Sequence, residues 1–232
     1  MINEDDAMSD SELSDEDEFE AQLLDVDTHP ELYAPGEAGV AAQLAYLSRH
    51  GNNRNGISEI AYGSFYRYWN QLKGADKLTA AGMRQGAQGS EITESGLAVG
   101  SEGAASCLVA FAKATINDRG RQRTYCAAIH VDPQTLRIDT IDPMQAYTSV
   151  IKPLNEKLLG LDARISSKEY FLIGGSNDGD VPTSTRLCAA TLHAAATCGF
   201  QITGCLMPTN NAQQVTNAFM TKDGLYFCKT NL

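Results

Sequence analysis

The chain has 232 residues, an apolar share of 43% and a formal net charge of −11, the size and composition of a globular domain with a sizeable core plus appendages. No apolar run approaches the roughly 18–20 residues of a membrane-spanning helix, and the acidic opening MINEDDAMSDSELSDEDEFE lacks the basic and apolar regions of a Sec-type leader. The charge is concentrated: residues 1–27 hold 12 Asp and Glu and no Lys or Arg, which leaves 17 acids against all 18 bases in the rest.

These totals predict a disordered acidic tail, because a like-charged, aromatic-poor block cannot offset its ordering entropy by burial. Its role is that of a solubilising leader, or of a docking segment for a partner or secretion chaperone. The near-neutral body has no basic stripe, which argues against nucleic acid as a partner. Cytoplasmic residence, or secretion without a Sec signal, fits this N-terminus. The six cysteines are scattered with no C-x-x-C spacing, so neither a zinc site nor a disulfide framework is expected.

In chain order, HPELYAPGEAG (29–39) reads as a linker that closes the tail region 1–36. A helical region, 37–88, follows and is expected to pack on the body. In VAAQLAYLSRH, Val40, Leu44 and Leu47 fall at helical spacing. A second helix is expected over 57–72, with Ile57, Ile60, Phe65, Tyr68, Trp69 and Leu72 near one face, and a third over DKLTAAGMRQGAQ. From about residue 90, ITESGLAVG, CLVAFAKA, TYCAAIHV and LRIDTID read as strands, with TINDRGRQR and DPQT as loop and turn. MQAYTSVIKPLNEKLLG is helical with Pro153 kinking or splitting it. EYFLIGG is a buried strand, STRLCAATLHAAATCG a helix closed by Gly199, FQITGCLM a strand, and VTNAFMTKDGLYFCK a hairpin across Asp223–Gly224. The body is therefore α/β with antiparallel strands at its centre. No Gly-rich phosphate loop sits between a strand and a helix, so no nucleotide or other cofactor is expected.

The small residues of GSEGAASC (100–107) run directly into an apolar strand. If the following hairpin turns on Asn117–Gly120, cross-strand partners have numbers summing to 237, and Cys107 faces His130. Directly opposed residues share a face with Cβ atoms about 5 Å apart, the separation a thiol and an imidazole need to share a proton. A one-residue slip would send one of them to the other face. In that register an adjacent imidazolium lowers the thiol pKa, and His130 acts as base and then as acid toward a leaving amine. The backbone of Gly103, Ala104, Ala105 and Ser106 forms a substrate and oxyanion loop. The bland alternative for Cys107 is a buried core thiol.

SEGAASCLVAF followed by AAIHV resembles the catalytic hairpin of the CheD-type chemoreceptor glutamine deamidases, whose wider group includes the cytotoxic necrotizing factor catalytic domain. Residue by residue, the resemblance implies Cys107 as nucleophile, His130 as base and Ser101 in place of the threonine that orients the histidine. LIGGSND resembles the group's strand ending in Gly-Gly, and VTNAFMTKDGLYFCK its closing hairpin. The resemblance covers about residues 90–232 and makes 89–232 a deamidase-like catalytic domain. The implied fold is an α/β/β/α sandwich with a central antiparallel hairpin carrying Cys and His. The implied activity is cofactor-free hydrolysis of a protein glutamine amide to glutamate through a thioester, with transfer to amines as a side activity. The helical region at 38–88 has no counterpart in CheD-type proteins and suits a bacterial effector acting on a host protein.

Other constellations carry less. His193 follows Cys107 in papain-like order, but Leu187, Ala190 and Ala194 place it on a helix face as a structural residue. Cys188, His193 and Cys198 are spaced by five, wrong for a shared metal. Asp132, Asp139 or Asp142 could orient the imidazole in place of Ser101, or simply cap turns. The rival classes are a binding or adaptor protein using the tail and helical region, and a cysteine protease using the same pair.

Overall fold

The computed structural model describes residues 29–34, 36–50, 52–133, 143–159, 165–176, 182–207 and 214–231. The acidic tail, the strand expected over LRIDTID, Asp139 and Asp142 lie outside the described residues.

The chain is mixed α/β. A 3-10 turn at Pro30–Tyr33 leads to α1 (Gly36–His50), the short strands β1 (Asn52–Asn53) and β2 (Ile57–Glu59), α2 (Tyr62–Gly74) and β3 (Leu78–Ala80). Next come β4 (Gln88–Glu91), β5 (Ala98–Ala104), β6 (Leu108–Asp118) and β7 (Arg121–Val131). A helical run, α3 (Pro143–Ala146), a π turn (Tyr147–Ile151) and α4 (Lys152–Leu159), precedes β8 (Ile165–Gly174). α5 (Pro182–Thr197), β9 (Gln201–Leu206), β10 (Gln214–Thr221) and β11 (Gly224–Asn231) complete the described elements.

Two mixed sheets form: β1-β9-β8-β6-β7-β4 and β2-β11-β10-β5-β3. The alternation along β6 explains their packing, since successive side chains leave a strand on opposite faces. Leu108, Ala110 and Ala112 join a core with Val150, Leu154, Leu187 and Ala190 of the helices. Val109 and Phe111 join a second core with Val99, Ala218, Met220 and Phe227 of the five-stranded sheet. Both faces of β6 are therefore buried, which is why its sequence is an almost continuous apolar run. Fully burying a side chain such as Phe111 or Leu108 contributes about 1.5–3 kcal/mol. On the far side of the five-stranded sheet, Phe65, Trp69 and Leu72 of α2 pack on Ala98 and Phe219. Gly100 admits Trp69, because a Cβ there would lie 2.7 Å from the Trp69 ring and 2.8 Å from the Ala218 carbonyl oxygen.

Several expected elements change identity. Ile57 opens a strand rather than a helix: Ile57–Glu59 pair parallel with Leu225–Phe227, and the helix starts only at Tyr62. No helix covers 76–88, where Leu78–Ala80 pair with Ala98–Gly100 instead. In both places sheet pairing overrides local helical spacing. The segment 37–88 thus supplies strands to both sheets as well as two helices. On α1, Leu44 is 48% exposed, and Gln43 is the buried residue, its amide donating to the Leu32 carbonyl at 2.6 Å. TINDRGRQR is mostly strand; only Arg119 and Gly120 turn, both with positive φ, as a two-residue hairpin turn requires. The closing hairpin turns on Lys222–Asp223, one residue earlier than expected. Pro153 sits just after the π turn, whose wider winding makes room for its ring and its missing N–H.

Candidate functional site

The site grows from the ends of β5, β6, β7 and β8. The β6–β7 register pairs His130 with Val109 and Val131 with Leu108, so partner numbers sum to 239. Cys107 therefore does not oppose His130. The reason is the turn: Arg119–Gly120, one residue later than the expected centre at Asp118–Arg119, takes the tight conformation and moves each partner by two. A shift of two preserves parity, however. The ladder ends at Leu108–Val131; continued by one step it would bring Cys107 opposite Asp132 with His130 diagonal to it, and Cys107 joins the same core cluster as Val109, the partner of His130.

Ser101 stands on β5 in the other sheet, paired with Ala218 and 1% exposed. Its Oγ lies 2.9 Å from His130 Nδ1, so one hydrogen bond joins the two sheets at this point. A bulge follows: Ser101 opposes Ala218 and Ala104 opposes Thr216, with one extra residue on β5. It lets Ser101 and Ala104 both face inward, although they are three positions apart. Gly103 carries the positive φ of 77° that the bulge needs, and its N–H donates to Asn217 Oδ1 at 2.9 Å. This corrects the expected oxyanion loop. Gly103 and Ala104 belong to a strand, and the Gly103 N–H is already engaged; only Ala105, Ser106 and Cys107 form a bend.

That bend is clamped from the β8 side. The Gly175 N–H donates to the Cys107 carbonyl at 2.8 Å, and a Cβ on Gly174 would come within 2.6 Å of that oxygen. Ser184 of α5 donates from Oγ to the Ser106 carbonyl at 3.4 Å and accepts the Ser176 N–H at 3.3 Å. The Gly-Gly strand end singled out in the sequence is thus a backbone clamp on the thiol-bearing bend.

Electrostatics at the bend differ from expectation. Cys107 is 8% exposed, and burial, reinforced by the Asp132 carboxylate, pushes its thiol up to about 11. Burial also holds the His130 imidazole below its ordinary value, against the pull of Asp132. Both shifts favour the uncharged forms, a neutral thiol and a neutral imidazole, not the thiolate–imidazolium pair that the direct register implied. His130 Nε2 is buried and has no hydrogen-bond partner among the described residues. With Nδ1 held by Ser101, Nε2 is the nitrogen left for a thiol or a bound amide.

A cleft of about 370 Å³ reaches His130 and Asp132, lined also by Arg84, Gly86 and Ser149; Cys107 is not among its lining residues. The Asp132 side chain is 7% exposed, and its Oδ2 lies 3.7 Å from the Nε of Arg84, which is 69% exposed. Spacing raised Asp132 as one of three acids near His130; the fold sets its charge on both the thiol and the ring. Arg84, Asn217 and Ser184 carry no local signal, because each arrives from a distant segment.

The remaining candidates are structural. His193 accepts or donates at Nδ1 with the Tyr33 hydroxyl at 2.8 Å, packs edge-on against His29, and is pushed down to about 4 by burial. No group of three metal-ligating side chains occurs among the described residues. No helix among them is long and apolar enough to cross a membrane. No protein-family model matches the chain, and no curated protein matches it.

Proposed function

We propose that the protein is a cysteine-dependent glutamine deamidase. The observation that carries this reading is Ser101 Oγ at 2.9 Å from His130 Nδ1, with Nε2 left without a partner among the described residues and Cys107 in the same core cluster as Val109, the residue opposite His130. On this reading the two sheets, with helices outside both, form an α/β/β/α sandwich around the site.

The chemistry proceeds from the neutral pair. His130 Nε2 takes the Cys107 proton as Sγ attacks the side-chain carbonyl carbon of a glutamine. The imidazolium returns that proton to the amide nitrogen, the C–N bond breaks, and ammonia leaves a thioester. Water then attacks the thioester with its proton passing to Nε2; the C–S bond breaks, glutamate departs, and the thiol is re-formed from the imidazolium. A base held neutral by burial is suited to this cycle, since it must accept a proton at the moment of attack. An amine in place of that water would give transglutamination, and a backbone amide in place of the glutamine would give proteolysis.

The substrate is a glutamine-bearing protein, and the protein acts as a bacterial effector in a host cytosol. Incubation with candidate partners and peptide mapping tests this: a gain of about one mass unit at a glutamine is the signature of hydrolysis. Cys107→Ala abolishes it, and His130→Ala lowers its rate by about 10²–10⁴-fold. Unchanged hydrolysis in both variants would overturn this pair as the machinery, and no mass gain on any partner would leave the binding-protein reading, which the raised thiol pKa favours.

A further inference from the structure

We infer that Asp132 is a specificity-determining residue that admits a neutral carboxamide to Cys107 and turns away a carboxylate. The inference rests on Cys107 being the nucleophile, and its test does not require turnover.

The carboxylate is nearly buried, lines the same cleft as His130, and lies across from Cys107 where the β6–β7 ladder would continue. Its field is felt at the thiol and at the imidazole alike. Arg84 offsets it only in part. The guanidinium stands 3.7 Å off and is 69% exposed, so solvent screens its charge, while the charge of Asp132 acts through protein. An arriving amide offers N–H donors that a carboxylate accepts. A carboxylate in the same position offers only lone pairs and a second negative charge, which is costly at close range in a low-dielectric site. One residue thus favours substrate over product: glutamine enters, and the glutamate formed from it is repelled. Burial, reinforced by the same charge, keeps the thiol protonated.

Iodoacetamide and iodoacetate separate these effects, being a neutral carboxamide and its carboxylate counterpart. Both alkylate the same thiolate, so the ratio of their rates at Cys107, read by peptide mapping, is independent of the thiol pKa. In the native chain that ratio exceeds the value for the urea-unfolded chain by roughly tenfold. Asp132→Asn brings it to within about twofold of the unfolded value, and Asp132→Glu retains most of it. Arg84→Gln, at an exposed position, raises the ratio further, and it decides the matter should Asp132→Asn fail to fold. Glu94→Gln, an exposed carboxylate on the turn after β4, controls for net charge and leaves the ratio unchanged. A native ratio equal to the unfolded one, or one indifferent to Asp132→Asn and Arg84→Gln, overturns the inference. Selectivity of the expected size without ammonia release from any glutaminyl protein sustains the inference and removes deamidation.

Discussion

Ser101 and His130 make one contact, and its loss has two consequences of different kinds. Ser101→Ala removes the partner of Nδ1 and leaves a second buried ring nitrogen unsatisfied. An orphaned buried polar group costs about 1–3 kcal/mol, so the urea midpoint should fall accordingly. The ring also loses its fixed orientation, so hydrolysis should drop more than stability alone explains, and Ser101→Thr should restore both. If Ser101→Ala keeps full activity at reduced stability, the hydroxyl is scaffold only. The resemblance made Ser101 legible in the sequence, six residues before the cysteine. Asn217, which holds the Gly103 N–H from a strand more than a hundred residues away, left no local trace.

At the scale of elements, the β6–β7 hairpin was readable as a hairpin but not in its register. TINDRGRQR contains two overlapping turn candidates, Asp118–Arg119 and Arg119–Gly120, and both lie between apolar strands. Moving the turn by one residue changes the cross-strand sum by two, so the residues opposite Cys107 and His130 change without a change of face. The chosen turn places a non-glycine residue, Arg119, at φ 47°. Asparagine tolerates that conformation better, so Arg119→Asn should raise the unfolding midpoint by the equivalent of about 0.5–1 kcal/mol. β2 and β3 were illegible for another reason: each has three residues inside a stretch with helical spacing, and only their pairing partners distinguish them. The Gly174 clamp allows a sharper test. At φ 114°, with the Cys107 carbonyl in the way, Gly174→Ala should destabilise by more than about 1 kcal/mol. It should also change the alkylation rate of Cys107, whereas Gly63→Ala on α2, whose Cβ would meet nothing within 4 Å, leaves that rate alone.

For the molecule as a whole, the N-terminal turn and α1 are held to α5 by a cluster that responds to pH. His193 bonds Tyr33, and His29 packs against both His193 and Tyr46. Burial keeps the folded His193 ring from protonating until about pH 4. The unfolded chain takes up that proton already below about pH 6.5. Stability contributed by the neutral ring is therefore complete above pH 6.5 and drains away as pH falls toward 4. Urea titrations at pH 7 and pH 5 should show the loss, and His193→Gln, which cannot take the proton, should flatten it. An unchanged slope in that variant would assign the acid sensitivity to His130 instead.

The bridge between Ser101 and His130 has one last implication, because its two ends belong to different sheets. The ring and the hydroxyl that fixes it come from different layers, so on the proposed reading partial separation of the layers would silence the chemistry while leaving most secondary structure in place. Loss of turnover should therefore precede loss of the far-ultraviolet signal in mild denaturant, with alkylation of Cys107 accelerating in the interval between them.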